Sequence, residues 1–254
     1  MKPAVEVHIL AFNEAEILNY ALRHYTTFAE RIVIHDGGSD DGTRNIAAKY
    51  GAEVLDWDTK GQLNDELALK RKNECWQGTP ADWVIVVDAD EFIYFPLGAK
   101  ETLEAYENMG ACVIKPHGFE MFSETYPTTH GQIYEECAMG APDNEWYSKP
   151  VLFSAKHVEE SGFGVGAHES EPLLRNGMRL RVGRNWPRAF PRTLLLHYHQ
   201  IGPIERIAER YEGVRQRLAA VNWRNGWGNV KDTGMEHALH KRALILPNLR
   251  RVLP

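Results

Sequence analysis

The sequence predicts an α/β protein with a mostly parallel central sheet flanked by helices. Over the first 115 or so residues, short apolar stretches alternate with stretches of helical spacing, which is the pattern of β-α-β units. The run from Val84 to Val87 is apolar throughout, as expected for a strand covered on both faces. Polar clusters follow three of the apolar stretches, at the strand ends where open sheets of this kind bind ligands.

The N-terminal half of the chain carries the regular elements. Asn13 can cap the first helix, with Glu16 at the third helical position completing a capping pair. Gly51 stands where a helix commonly ends in a glycine. From hydrophobic spacing, strands are predicted over residues 5–11, 31–35, 52–57, 83–87 and 111–115, and helices over residues 13–28, 44–50, 64–76 and 101–109.

The second half is less regular. Residues 117–150 are rich in Gly, Pro, Tyr and Glu, which predicts long surface loops. Beyond them, strands are predicted over residues 149–153 and 192–199, and helices over residues 204–221 and 235–246. Because no stretch has the composition of a linker, the prediction is one domain over residues 1–254, divided into a regular half (1–115) and a less regular half (116–254).

Composition narrows the class of protein. The chain has 254 residues and a formal net charge of −6, which argues against a non-specific nucleic-acid binder. No stretch approaches the 18 or so apolar residues of a membrane span, and Glu6 and His8 interrupt the apolar run that a signal peptide needs. The three cysteines fit reduced thiols. A cytoplasmic location is therefore predicted, with peripheral docking at a membrane left open.

The polar cluster after the fourth strand contains three acids. Asp88, Asp90 and Glu91 follow the apolar run directly, and Phe92 and Ile93 come next. Two carboxylates at a turn leaving a strand can converge, and Mg²⁺ and Mn²⁺ prefer such oxygen ligands. The alternative interpretation is a solvated strand end.

Two further polar clusters can each be interpreted either as part of a ligand-binding site or as ordinary surface structure. The segment Asp36-Gly-Gly-Ser-Asp-Asp-Gly-Thr43 could bring an acid close to a base or ribose, or it could be an ordinary turn. The segment Lys70-Arg71-Lys72-Asn73 could contact phosphate, or it could be the solvated face of a helix.

Taken in order, these clusters resemble the family-2-like glycosyltransferases of the GT-A fold. The resemblance rests on Ala11-Phe-Asn-Glu14, on the Asp36–Thr43 segment with Gly37 in place of a second acid, on the basic segment, and on Asp88-Ala-Asp-Glu-Phe-Ile93. The last motif is similar to the D-x-D-E-F subgroup. The match covers roughly residues 5–95 and implies a Rossmann-like, mostly parallel sheet with an acceptor region in the second half.

The resemblance also implies a role for each matching residue. Residues bordering the nucleotide-sugar would be Ala11, Phe12, Asn13, Glu14, Asp36, Gly38, Arg71, Asp88 and Ala89. Within that set Asp36 would bond the base, typically uracil, and Arg71 would lie near the base or diphosphate. Asp90 would bind Mn²⁺ or Mg²⁺, with Asp88 touching the ribose or a metal-bound water.

The second half must supply a general base, which deprotonates the acceptor hydroxyl in an inverting transfer. Glu169 is the favoured candidate, because its glycine-rich loop resembles the place where members of that family carry an acidic base, and Asp143 and Glu145 compete with it. His197 and His199 would face one side of a strand, so either could complete a metal shell. His197 is the first choice because it follows the apolar run Leu194–Leu196, and His168 is the rival.

The hypothesis is a metal-dependent transfer of a sugar from a nucleotide-sugar, with UDP-sugars favoured, to an acceptor hydroxyl, with the inversion that the resemblance implies. The acceptor could be a glycan, a lipid or a small molecule, and the acidic balance weakens a nucleic-acid acceptor. Two alternatives are a nucleotidyltransferase of similar fold and a non-catalytic nucleotide- or glycan-binding module. The sequence names neither the sugar nor the acceptor.

Overall fold

The computed structural model describes residues 2–141, 146–228 and 232–253. The strands are β1 (Val5–Ala11), β2 (Arg31–Asp36), β3 (Glu53–Asp56), β4 (Trp83–Asp88), β5 (Glu91–Tyr94), β6 (Val113–Ile114), β7 (His117–Ser123), β8 (Met139–Ala141), β9 (Leu152–Ser154), β10 (Val158–Glu160), β11 (Leu173–Leu174), β12 (Leu194–Ile201) and β13 (Arg250–Arg251). The helices are α1 (Ala15–Tyr25), α2 (Thr43–Lys49), α3 (Asp65–Glu74), α4 (Ala99–Asn108), α5 (Ile204–Arg217), α6 (Ala220–Asn225) and α7 (Gly234–Ile245).

The first sheet confirms a mixed α/β fold. Its strand order is β3-β2-β1-β4-β9-β6, and β3, β2, β1 and β4 run parallel to one another. Strand β9 is antiparallel to both of its neighbours. Leu10 pairs with His35 on one side and with Asp88 on the other. The carboxyl ends of β1, β2 and β4 therefore meet at one edge of the sheet.

A second sheet combines the predicted strand over residues 192–199 with strands from the segment that the sequence predicts as loops. Its order is β13-β8-β7-β12-β5, and β12 lies between β7 and β5. The prediction of loops over residues 117–150 was wrong for β7 and β8. Strand β7 is hard to recognise because Glu120 interrupts its apolar pattern, although that side chain is buried and pairs with His197. Strand β5 follows β4 after a single tight turn.

Two helices differ from their predicted bounds because of tertiary contacts. Asn13 has a left-handed backbone (φ 55) and does not cap α1; its side-chain amide donates to Asp40 instead. The predicted helix over residues 204–221 is two helices, separated by the extended residues Leu218 and Ala219. Leu63 pairs with this break, because its N–H donates to Arg217 and its carbonyl accepts from Ala219.

One main hydrophobic core is shared by both sheets. Val84, Ile85, Val86 and Val87 have no exposed surface, as expected for the most apolar predicted strand, and Phe92 on β5 is equally buried. Among the described residues, no helix is both long and apolar enough to cross a membrane.

Candidate active site

A cavity of about 310 Å³ lies at the edge where β1 and β4 end. Helices α3 and α5, strand β12 and a glycine-rich loop form its walls. The lining residues include Leu10, Ala11, Phe12, Glu14, Trp57, Thr59, Leu69, Lys72, Asp88, Ala89, Asp90, Gly164, Gly166, His197, His199, Arg210 and Arg217. The volume is within the range of small-molecule sites.

Three side chains that could ligate a metal meet on one wall of this cavity. Oδ2 of Asp90 lies 3.1 Å from Nδ1 of His199 and 3.7 Å from Nε2 of His197. Ligand atoms of all three residues lie within 4.8 Å of one another. The two histidines share a face of β12 because side chains two residues apart point the same way. Strand β12 lies beside β5, which begins just after Asp90. The structure therefore brings both histidines to the D-x-D turn.

The charges around Asp90 fix the protonation of the group. Burial disfavours a charged His197, but Glu120 (2.8 Å from Nδ1) and Asp90 outweigh it and raise the pKa of His197 to about 9. Burial also disfavours a charged Asp90, yet His197 and Arg210 hold the pKa of Asp90 well below its usual range. Burial and Arg210 lower the pKa of His199, which is therefore neutral. Nε2 of His199 is buried and has no hydrogen-bond partner among the described residues.

Arg210 on α5 connects the two strand ends. Its Nη2 lies 3.0 Å from Oδ2 of Asp90 and 3.2 Å from Oε1 of Glu14. Burial, assisted by Asp90 and opposed by Arg210, raises the pKa of Glu14 to about 7. Sequence reasoning gave Arg210 no role at this site, because nothing in an amphipathic helix indicates which arginine faces a cavity.

Glu14 should make the stability of the protein depend on pH. Its folded-state pKa of about 7 exceeds the ordinary value of 4.5, so the folded state keeps a proton that the unfolded state loses. This contribution to the free energy of unfolding is fully present below pH 4.5 and is lost as the pH rises through about 7. Glu14→Gln should flatten the pH dependence of the free energy of unfolding between those values by up to about 1.4 kcal/mol per pH unit, which is the linkage of one proton.

Urea denaturation at pH 5, 6, 7 and 8 measures that slope. Glu16→Gln is the matched control, because its side chain is 67% exposed and pairs with Arg206 at the surface. Equal slopes for the wild type and Glu14→Gln would contradict the assignment.

The other two acids of the D-x-D turn have cationic partners. Asp88, whose side chain is 41% exposed, lies 2.8 Å from Nζ of Lys72. Glu91 is fully buried, pairs with Nζ of Lys149 and accepts from the backbone N–H of Asp88. The sequence assigns no role to Glu91. In the structure its buried carboxylate stabilises the turn by accepting the hydrogen bond from Asp88. The metal-ligand group around Asp90 does not include Asp88.

The predicted nucleotide-binding residues separate into two sets. Ala11, Phe12, Glu14, Asp88 and Ala89 line the cavity. The others, Asn13, Asp36, Gly38 and Arg71, are absent from its lining.

Three residues of the second set, Asp36, Gly38 and Arg71, lie outside the cavity lining, in a turn or against an aromatic ring. Asp36 is buried, accepting from Arg44 at 2.9 Å and from the backbone of Ser39. Gly38 lies in the same turn with a left-handed backbone (φ 93). Arg71 stands over the ring of Trp57, itself a lining residue, while its neighbour Lys72 turns inward to the cavity.

None of the candidates for the general base is found in the cavity lining of the described residues. Glu169 is exposed and outside the cavity lining, although Gly164 and Gly166 of the same loop form part of the wall. Asp143 and Glu145 lie outside the described residues. The rival metal ligand His168 packs edge-on against Trp146 at 4.9 Å, and burial lowers its pKa to about 4. It is not part of the group around Asp90.

Comparison with known proteins finds distant likenesses. No protein-family model matches the sequence. A TPR repeat-containing protein of Synechococcus elongatus is 27% identical over 131 residues, which are 51% of this chain and 29% of that protein. Among solved structures, glucosyl-3-phosphoglycerate synthase from Mycobacterium tuberculosis with Mn²⁺, UDP and glucosyl-3-phosphoglycerate aligns with a TM-score of 0.29 and 21% identity. That alignment covers 35% of this chain and 34% of the synthase. The same synthase with Mg²⁺ and UDP aligns over the same shares, also with a TM-score of 0.29 and 21% identity.

Proposed function

We propose that this protein is a metal-dependent glycosyltransferase of the GT-A type, which moves a sugar from a UDP-sugar to an acceptor hydroxyl with inversion. The observation that carries the proposal is the convergence of Asp90, His197 and His199 on a cavity that the Ala11–Glu14 and Asp88–Asp90 motifs also line. Residues 1–115 would form the nucleotide-sugar half of a single domain, and residues 116–254 the acceptor half.

The residues present fit a divalent metal. A carboxylate whose pKa is held low, a neutral imidazole with an unpartnered buried nitrogen, and a second imidazole are a donor set that can hold a divalent cation, and we propose Mn²⁺ or Mg²⁺ as that ion. Asp90, His197 and His199 would hold the ion, and a bound ion stabilises the charge that develops on a departing diphosphate. His197 must give up its proton to act as a ligand, which binding of the cation would favour.

The remaining lining residues supply positioning and charge. Lys72 and Arg210 are the cations that face the cavity nearest the D-x-D turn, and both could contact diphosphate oxygens. The guanidinium of Arg217 lies 4.0 Å from the ring of Phe12, which offers an apolar and cationic surface for the base. Holding the donor in this way lowers the barrier by proximity and orientation.

The acceptor side of the proposal depends on a carboxylate base. Glu169 remains the first candidate, because its loop carries Gly164 and Gly166 into the cavity wall, and Asp143 is the second. Glu169→Gln should lower the rate of transfer by about 100-fold or more while leaving UDP binding unchanged, since a general base contributes only to the chemical step. Equal loss of binding and rate would point to a structural role.

Titration calorimetry with UDP tests the donor half of the proposal. We expect UDP to bind much more tightly with Mn²⁺ than without it, because the ion would connect Asp90 to the diphosphate. At about 100 times its Kd, UDP with Mn²⁺ should add about 2.7 kcal/mol to the free energy of unfolding, which a thermal-shift assay detects. Binding of UDP that does not depend on Mn²⁺ would contradict the proposed metal dependence. Release of pyrophosphate from UTP would contradict the proposal in favour of a nucleotidyltransferase.

A further inference from the structure

A second group of potential metal ligands lies inside the first sheet and shares no residue with the candidate active site. It consists of His8 on β1, His35 on β2 and Cys75 just after α3. One ligand atom from each residue lies within 4.8 Å of the other two. The histidines are at most 2% exposed, and the thiol is half-buried.

The two imidazoles face each other closely. Nδ1 of His8 lies 3.0 Å from Nε2 of His35, and the rings stack with centroids 5.3 Å apart. Nitrogen ligands on a tetrahedral Zn²⁺ are about 3.3 Å apart, given Zn–N bonds of about 2.05 Å. If the two rings moved slightly further apart, both nitrogens could therefore bind one ion.

Glu6 supports His8 from the other side. A carboxylate oxygen of Glu6 lies 2.8 Å from Nε2 of His8, and the same buried carboxylate accepts from Thr79 and Arg31. A carboxylate at the far nitrogen is the usual companion of a metal-ligating histidine, because it fixes the tautomer and leaves the near nitrogen free to bind.

The donor atoms of the group suit a metal of intermediate or soft character. Nδ1 of His35 is buried and has no hydrogen-bond partner in the part of the chain that the structure describes. Two imidazoles and a thiol offer nitrogen and sulfur ligands, which exclude Mg²⁺ as the preferred ion and favour a d¹⁰ transition metal.

We propose that His8, His35 and Cys75 form a binding site for a d¹⁰ transition-metal ion, Zn²⁺ or Cu⁺. The thiol of Cys75 would release its proton to solvent as the metal–sulfur bond forms. The bound ion would fasten the end of α3 to β1 and β2. Helix α3 also provides Leu69 and Lys72 to the cavity wall, so the ion would stabilise that wall without contacting a substrate.

Cobalt substitution tests this site in the intact protein. Chelator-treated protein titrated with Co²⁺ should give a thiolate-to-cobalt charge-transfer band, which an oxygen- and nitrogen-based site around Asp90 cannot produce. Cys75→Ser should abolish the band and weaken Zn²⁺ binding at this site by about 100-fold or more. Cys112→Ser, which changes the other half-buried thiol, is the matched control and should keep the band.

Competition between Zn²⁺ and, under anaerobic reducing conditions, Cu⁺ distinguishes the two ions. The preferred ion should raise the melting temperature of the wild type and of Cys112→Ser by more than that of Cys75→Ser, in which, among the described residues, only the group around Asp90 remains to bind it. Circular dichroism checks that Cys75→Ser is folded. Absence of the charge-transfer band in the wild type, or its persistence in Cys75→Ser, would overturn the proposal.

Discussion

Asp90→Asn is expected to lower the affinity for Mn²⁺ by about 100-fold or more and to remove metal-dependent binding of UDP. Asp90 is the one carboxylate that approaches both His197 and His199 in the described cluster, and its low pKa keeps it charged throughout the physiological range. Loss of supporting groups alone costs metal sites about 10–100-fold in affinity, and loss of the ligand itself should cost at least as much. Calorimetry with Mn²⁺ and then with UDP measures both effects.

The variant should still fold. In Asp90→Asn, Arg210 keeps its pairing with Glu14, and His197 keeps its contact with Glu120. The removal of Asp90 should also lower the pKa of Glu14, because Asp90 is one of the groups that raise it. Asp56→Asn is the control, since that side chain is 86% exposed and pairs with Arg44. Unchanged Mn²⁺ affinity in folded Asp90→Asn would remove the metal site from the proposal.

Lys149→Met is expected to lower the free energy of unfolding by about 3–5 kcal/mol, because it leaves a buried carboxylate without its counter-ion. Glu91 has no exposed surface, and burial opposes its charge, while Lys149 and Lys72 hold its pKa below the ordinary value. Lys149 is itself almost fully buried. Urea denaturation at pH 7 measures the loss.

Two further variants make this test specific. The double variant Glu91→Gln, Lys149→Met should recover much of the loss, since neither charge then remains buried. Lys156→Met is the matched control, because Lys156 is 54% exposed in its pair with Asp82 and surface pairs contribute at most about 1 kcal/mol. A loss no greater than that of Lys156→Met would show that Glu91 does not depend on Lys149.

The parallel part of the fold could be predicted because each of its strands has a local signal. Strand β1 was predicted to the residue. Strands β2 and β4 each extend one residue beyond the prediction, and β3 is one residue shorter than predicted at both ends. In the second sheet, β12 was predicted as a strand but β7 and β8 were not, because the burial of Glu120 on β7 depends on His197, which is 77 residues away. Patterns of apolar residues cannot anticipate an acid buried by so distant a partner.

The candidate site was predictable to a similar extent. The Asp88–Glu91 turn and the pair His197 and His199 were recognisable from spacing, and the structure places Asp90 between the two histidines and Arg210. Which basic residue of α3 turns inward was not recognisable, because Lys72 and Arg71 have similar character and only packing against Asp88 distinguishes them. The roles of Glu169 and Asp143 stay predictions.

The position of β9 has a consequence for synthesis on the ribosome. Strand β9 lies between β4 and β6, and Lys149 comes just before it, so β4 gains its outer neighbour and Glu91 its counter-ion only after residue 154 has been made. Long-range pairing of this kind delays folding until both partners are present. The emerging N-terminal half should therefore expose the edge of β4, and chaperones that recognise unpaired apolar strands should engage the nascent chain between about residues 95 and 150.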